Sequence, residues 1–210
     1  MLPAKATPEQ HAQFLVEEVE PRLAQARAGQ RTVCFVDAAH FVLAPCLGFL
    51  WSVTRRFLRA PAGRQRFNVL GALTAIPHEL VTVTNDTDIT ATAVWLLLRQ
   101  LAALNLGVPL TVGLDNARYQ RCAQVVTLAA SLQSELCFLP PYSPNLHLIE
   151  RLWKFVKKQC LYATSYADFA AFTTAISECL AQTQTTQRRA LTSLLPLRFQ
   201  LFTKALFAPA

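Results

Sequence analysis

Three acidic residues have types and positions that could do chemistry together. Asp37 closes one apolar, β-branched run (TVCFVD), Asp115 closes another (LTVGLD), and Glu150 lies in YSPNLHLIERLWKFVKKQC. The whole chain has only 13 Asp and Glu residues, so acids placed against apolar segments are conspicuous. Two aspartates at the carboxyl ends of two buried strands can meet at one edge of a sheet, where α/β sites lie. Each taken alone is also an ordinary turn or cap residue just past a strand. On a helical wheel of about 100° per residue, Leu146, Ile149, Leu152, Trp153, Val156 and Cys160 share one face of the third segment. Glu150, Lys154 and Lys157 lie on the flank of that face, with His147 and Lys158 just beyond. Alone, this is Glu–Lys pairing on a solvated helix, worth about 0.3–0.5 kcal/mol. Three carboxylates converging on one point are different: they would bind Mg2+ or Mn2+, which take oxygen ligands. A pair of such ions can activate water or a 3′-hydroxyl for in-line attack on a phosphodiester.

The charge balance agrees with a polyanionic partner. Lys plus Arg is 20 against 13 acids, a net +7, which points to nucleic acid or simply to a solvated basic surface. Arg55, Arg56, Arg59, Arg64 and Arg66 fall within one stretch with a turn at Pro61–Gly63, and they are candidates to clamp a DNA backbone together with Lys154, Lys157 and Lys158. Asn116 could orient a ligand or start a turn. His40 and His147 could reach the site or be structural. The six cysteines contain no CxxC pair, which disfavours a zinc site or disulfide framework. No glycine-rich phosphate loop and no Ser–His–Asp order is present, so nucleotide hydrolysis and acyl transfer have no support. No apolar run is long enough to span a bilayer, and the N-terminus lacks the apolar core of a signal peptide, so a cytoplasmic protein is expected.

The elements that must position these residues read as follows. A helix is expected over 7–28, capped by Thr7 and stopped at Gly29. Strands are expected at 32–36, 49–53, 67–73 and 80–84. A helix over 88–106, capped by Asp86 or Thr87 and closed by Gly107, is apolar nearly all round. A strand at 110–114, a helix at 119–134, a strand at 136–139, a proline-marked loop and helices to about 161 and over 166–183 complete the order. A strand meander followed by β–α–β units gives an α/β fold, a ribonuclease-H-like mixed sheet with helices on both faces. The expected division is an N-terminal helix and linker (1–30), a catalytic domain (31–183) and a basic, apolar tail (184–210).

Taken together, VDAAHF, LDNARYQ and LPPYSPNLHLIERLWKFVKK resemble the catalytic domain of a DDE transposase of the mariner-type superfamily, in the branch called the bacterial insertion sequence 630 family. The resemblance runs over about 31–183, with 34 residues between Asp115 and Glu150. It implies that Asp37, Asp115 and Glu150 are the metal-binding triad, with two Mg2+ or Mn2+ ions, transposon-end and target DNA as partners, and a homodimer in the active complex. It also implies a nucleoid-associated bacterial protein that cuts DNA and transfers strands, with TA as the family's usual target. Two rivals are a ribonuclease-H-like nuclease that does not join strands, and an inactive relic that binds DNA or a full-length transposase. The sequence departs from the superfamily at His147–Leu148, where many members have Asn-Pro. It also departs in having about 30 residues ahead of the first strand, too few for helix-turn-helix modules; the alternatives are a fragment, a recognition segment encoded upstream as another product or joined by frameshifting, and a decayed copy.

Overall fold

The computed structural model describes residues 8–43, 53–54, 65–141, 143, 146–162, 164–197 and 199. Cys46, Trp51, Arg55, Arg56, Arg59 and Arg64 lie outside the described residues, as does all but Val53 of the strand expected at 49–53. The chain opens with α1 (Pro8–Phe14), a π-helical turn (Leu15–Val19) and α2 (Glu20–Arg27). Pro21 explains the π turn: it has no N–H for the preceding turn, and widening the ladder ahead of it absorbs the missing bond. Leu15, Val19 and Leu23 are buried at four-residue spacing along this helix. Gly29 stops it in the left-handed conformation at φ +69°.

Five strands follow: β1 (Thr32–Val42), β2 (Arg66–Thr74), β3 (Leu80–Asn85), β4 (Leu110–Leu114) and β5 (Ser134–Phe138). They form one mixed sheet in the order β3-β2-β1-β4-β5. The β1–β2 and β2–β3 pairs are antiparallel, while β4 joins β1, and β5 joins β4, in parallel. The crossover helices are α3 (Ala91–Ala103) and α4 (Ala123–Ser131); α5 (Leu148–Leu161), α6 (Phe169–Thr183) and α7 (Arg188–Leu194) come last.

Side-chain alternation divides the core into two layers. Val33, Phe35, Ala39 and Phe41 of β1 pack with the N-terminal helix, α5, α6 and α7. Cys34 and Val36 of the same strand pack with α3 and α4 on the other face. The sheet is therefore covered by helices on both faces, as expected from the element order.

Several boundaries differ from the sequence reading. β1 does not end at Asp37 but runs on to Val42, because β2 pairs with it along that whole stretch. α3 starts at Ala91 with Thr90 as its cap, not Asp86 or Thr87. Its left-handed end position is taken by Asn105 at φ +47°, ahead of Gly107. It is also less buried than expected: Leu96 and Leu104 are exposed, and Trp95 carries Arg99 4.7 Å from its ring centroid on the solvent side. α4 starts at Ala123 rather than Tyr119, since residues 115–122 form the turn leaving β4.

An ionic clip ties the N-terminal helix to the sheet. Arg22 and Arg31 both donate to the Glu135 carboxylate on edge strand β5, and the Thr111 hydroxyl donates to it as well. The Arg22 guanidinium, helped by Thr111 and Arg31, holds the Glu135 carboxyl down at about 2. A depressed folded-state value means that the stabilisation is complete above the ordinary carboxylate range and fades as pH falls toward about 2. Glu135→Gln is expected to flatten the loss of thermal stability between about pH 5 and pH 2. Parallel melting curves followed by circular dichroism check this, and equal pH slopes for variant and parent would remove the clip from the stability account.

Candidate active site

The register of the parallel β1–β4 pair builds the first half of the site. Phe35 stands opposite Gly113, so two residues further along each strand come Asp37 and Asp115. β4 stops at Leu114, which leaves Asp37 in mid-strand at the point where β1 loses its parallel neighbour. Alternation puts both aspartates on the sheet face that carries Phe35 and Phe41, which is the face covered by α5. Asp115 is held in its turn by the Ala117 backbone N–H, which donates to its Oδ1 at 3.1 Å. Asn116 donates its Nδ2 to the Leu139 carbonyl at 2.5 Å, linking the ends of β4 and β5.

Helix α5 supplies the other half. His147 is its cap residue, so the helix begins at Leu148, where the superfamily's Asn-Pro would begin one, and Glu150 falls in its first turn. An ionised carboxylate is favoured there by the helix dipole. The helix is pressed onto the sheet by Leu148, Ile149, Leu152, Trp153, Val156 and Cys160, all buried; the wheel gave the last five, while Leu146, which it also placed on this face, is buried ahead of the helix. Its depth depends on Gly71, the β2 residue paired with Asp37. A Cβ at Gly71 would come within 2.7 Å of Trp153 Cη2 and 3.2 Å of Ile149 Cδ1. A glycine inside a strand marks such a close approach.

Asp37, Asp115 and Glu150 line one cavity of about 340 Å³, together with Asn116, Pro140 and His147. A larger cleft of about 570 Å³ lies at the opposite ends of β4 and β5, around Pro109 and Gln133, and contains none of the carboxylates. The N-terminal helix steadies the loop that walls the smaller cavity, through His11 Nε2 and the Pro141 carbonyl at 3.2 Å.

The electrostatics are those of negative charge partly withdrawn from water. Burial pushes Asp37 above the ordinary carboxylate range, and the Asp115 charge pushes it further; the Ala38 backbone N–H, the Trp153 indole and Lys157 act the other way. Burial raises Glu150 too, with Asp37 adding to it and Lys154 opposing. Tyr119 is held protonated, its hydroxyl pushed up to about 12 by burial and by the charges of Asp115 and Asp37. Burial brings His147 down to about 4 against the pull of Asp115, so its ring is neutral near pH 7.

Oxygen donors and uncompensated negative charge are what a hard divalent cation requires. The donor set therefore fits Mg2+ or Mn2+. The carboxylates line the cavity rather than close on a point: among the described residues, no three His, Cys, Asp or Glu side chains stand close enough to hold one ion.

Other sequence-predicted residues fall elsewhere. His40 is on the opposite sheet face from Asp37; it points its Nδ1 at Asn68 Oδ1, 2.6 Å away, and Asn68 is fixed in turn by Asn85 and Thr87. It is structural and does not reach the carboxylates. His147, which the wheel sets just beyond the flank of the buried face, is 7% exposed. Lys154, Lys157 and Lys158 are exposed along α5, with Lys157 Nζ 5.8 Å from the Phe41 ring centroid. Arg66 is exposed at the start of β2. Sequence reasoning missed Tyr119 and Gly71. Tyr119 lies in the same LDNARYQ segment as Asp115, and Gly71 interrupts an otherwise apolar strand; both were visible signals.

A family profile described as DDE superfamily endonuclease matches residues 32–173. Among curated proteins no match was found. Among solved structures, the Mos1 mariner paired-end complex with Mn aligns with a TM-score of 0.59 at 11% identity, covering 95% of this chain and 66% of that one. The Mos1 paired-end complex with left transposon end gives 0.55 at 12% identity, with the same coverage. The simian T-cell lymphotropic virus intasome in complex with the PP2A regulatory subunit B56 gamma gives 0.53 at 14%, covering 85% of this chain and 59% of that one. At such identities the likeness is one of fold, shared with the ribonuclease-H-like cores of transposases and integrases. The chain spans about three fifths to two thirds of the length of these structures.

Proposed function

Because the chain belongs to the DDE superfamily endonucleases, we propose that it is a transposase catalytic core of the insertion sequence 630 type, which cuts DNA and transfers the cut strand at Asp37, Asp115 and Glu150. The observation that carries this reading is the meeting of three carboxylates from distant segments in one cavity, with Lys154, Lys157 and Lys158 on the helix that bears the third. The catalytic unit is residues 31–183, acting as a homodimer on transposon ends and target DNA in a bacterial nucleoid. Among the described residues no helix is long and apolar enough to cross a membrane.

Asp37, Asp115 and Glu150 would hold two Mg2+ or Mn2+ ions, which supply Lewis acidity to the attacking and leaving oxygens. The protein's own share is positioning. The β1–β4 register fixes Asp37 beside Asp115, and α5 brings Glu150 over them. The exposed lysines of α5 would hold the phosphate backbone beside the cavity, and Arg66 with the arginines of 55–64 are further candidates by charge alone. In the first displacement the oxygen of water bonds to phosphorus and the bond to the departing 3′-oxygen breaks. The water proton passes to a cavity carboxylate, and the 3′-oxygen takes one from solvent. In the second, the freed 3′-hydroxyl attacks a target phosphodiester in the same way. A strand-joining assay with end sequences and either metal tests the proposal. Joined product supports it, cleavage without joining indicates a ribonuclease-H-like nuclease, and neither indicates a relic.

Binding by this chain alone is expected to be weak and largely blind to sequence. From Arg151 onward there are eight Lys or Arg against two acids, Asp168 and Glu178. Such groups bind phosphates by releasing counterions, so log affinity is expected to fall with log salt by about 0.9 per phosphate neutralised, with Kd of about 10⁻⁴–10⁻⁶ M at physiological salt. A salt series on terminal-repeat and scrambled duplexes measures this. A preference for the repeat of about 1,000-fold would show a recognition module within the chain.

A further inference from the structure

The two edges of the sheet are defended unequally. β5 carries Glu135, which Arg22 of the N-terminal helix and Arg31 clamp. β3, the opposite edge, has no such guard. Its sequence, LVTVTN, holds no charge and no proline. Its pairing with β2 is unbroken from Asn68–Asn85 to Leu73–Leu80, so no bulge twists it away. Charge, proline and bulges are the usual means by which a sheet edge is kept from pairing with another chain. The ladder fixes which groups stand open. The Thr74 N–H donates to the Glu79 carbonyl at 2.8 Å, and in an antiparallel pair every second position repeats that arrangement. Val81, Val83 and Asn85 therefore turn their backbone groups inward to β2, while Leu80, Thr82 and Thr84 turn theirs outward. The Leu80 N–H agrees, since it donates outward to Gln184 Oε1 at 3.2 Å. Among the described residues, nothing bonds the outward N–H and C=O of Thr82 and Thr84.

A cleft of about 350 Å³ lies beside this open edge, lined by Val83, Asn85, Thr90, Ala93 and Leu96, and Leu96 is 43% exposed. An occupant must bring an extended backbone to the edge and small apolar side chains to the cleft. β3 itself offers both. We propose that two copies of this chain join by antiparallel pairing of β3 with β3, with the two Val83 residues facing each other across a two-fold axis. That register sets Thr82 opposite Thr84 of the second copy, and Thr84 opposite its Thr82. Each such pair exchanges both N–H···O bonds, so every open backbone group of these threonines is used in both copies. Thr–Thr pairs are favourable cross-strand neighbours. Val81 of the second copy falls beside Asn85, on the face that carries Leu96, because Val81 and Val83 pack on the α3 side of the sheet. A register with Thr82 on the axis would need the Leu80 N–H, which Gln184 already holds. The contact is the same patch on both copies, so it closes as a dimer. The inference gives a face to the homodimer proposed above and rests on that part of the reading. The carboxylates come from β1, the end of β4 and α5, and β2 separates β1 from β3, so the pairing uses no cavity residue.

The test uses the full chain, without DNA or metal, in sedimentation across a concentration series. The parent is expected to form a dimer. Thr84→Pro removes an outward N–H and leaves the β2–β3 bonds in place, as proline on an edge strand does. Thr84→Lys keeps that N–H but puts a charge on the edge. Each is expected to raise the dimer's dissociation constant about tenfold, because two-fold symmetry repeats every loss. Circular dichroism melting checks that both variants keep the fold, and the lysine variant stands if proline strains the strand. Hydrogen exchange reads the pairing directly: the Thr82 and Thr84 amides are expected to be protected in the parent at dimer concentrations and to exchange freely on dilution. A parent that stays monomeric at every concentration would overturn the proposal. So would a dimer that neither variant weakens and whose Thr82 and Thr84 amides exchange freely, since it would use another face. A monomer whose two amides become protected only when a lysine-flanked LVTVTN peptide is added would also overturn it, and would show an edge open to another protein's strand. A monomer that joins strands leaves the strand-transfer reading standing while this one falls; a β3-paired dimer that neither cuts nor joins does the reverse.

Discussion

Asp115→Asn is expected to lower strand cleavage by about two to three orders of magnitude, in magnesium and in manganese, without loss of fold or DNA affinity. The charge removed is one of three that define the cavity, and metal-assisted displacement draws several kcal/mol from charge stabilisation at the transition state. The substitution is gentle otherwise. Asn retains an oxygen that can accept from the Ala117 backbone N–H, so the turn leaving β4 keeps its hydrogen bond. The lysines of α5 proposed to bind DNA are on another element. Cleavage rates, melting temperature and duplex affinity measured on one preparation separate these effects. Parental cleavage by the variant in either metal would sink the assignment of Asp115, and with it the active-site reading of the cavity.

Gly71→Ala is the second large effect, and it acts through packing beside the carboxylates, since Gly71 is the β2 residue paired with Asp37. The added methyl meets Trp153 Cη2 at 2.7 Å and Cζ2 at 2.8 Å, with Ile149 Cδ1 at 3.2 Å. These atoms belong to the rigid indole and to a packed core residue, so the strain falls on α5. Overpacking of this kind costs about 1–3 kcal/mol of stability. Ile149 and Trp153 flank Glu150 on that helix, and lifting them shifts its carboxylate away from Asp37. A misplacement of roughly 1 Å costs about a hundredfold in rate, and that order of loss in cleavage is expected. Trp153→Phe removes the colliding ring atoms but also the indole beside Asp37, so the double variant is expected to regain part of the activity. A double variant as slow as Gly71→Ala alone would show that the loss is not transmitted through Trp153.

Much of the architecture was legible because it rests on local patterns. The runs around Val33, Val69, Val81 and Val112 are short, apolar and β-branched, and each is a strand in the fold. The wheel of α5 was read correctly because the buried residues recur at helical spacing, and packing on the sheet follows from that spacing alone. The limits of elements were less legible. β1 runs past Asp37 because β2 pairs with it, and pairing between strands distant in sequence leaves no mark within either. Thr90 rather than Asp86 or Thr87 begins α3, in a segment where Asn85 reaches forward to the Asp88 carbonyl at 3.1 Å and Asn68 reaches across to Thr87.

The site divides in the same way. Sequence by itself determined which carboxylates were candidates and that a buried helix face flanks Glu150, because residue type, apolar context and periodicity are properties of the chain. Tertiary structure alone decided that these carboxylates share a cavity, since that depends on the β1–β4 register and on the depth to which Gly71 admits Trp153. It also decided the fates of the two histidines. His40 lies three residues from Asp37, and strand alternation sends it to the opposite face; His147, three residues from Glu150, is packed into the cavity wall. Equal separations along the chain thus gave opposite outcomes, because a strand reverses its side chains at every odd step while the head of a helix keeps residues three apart on one side.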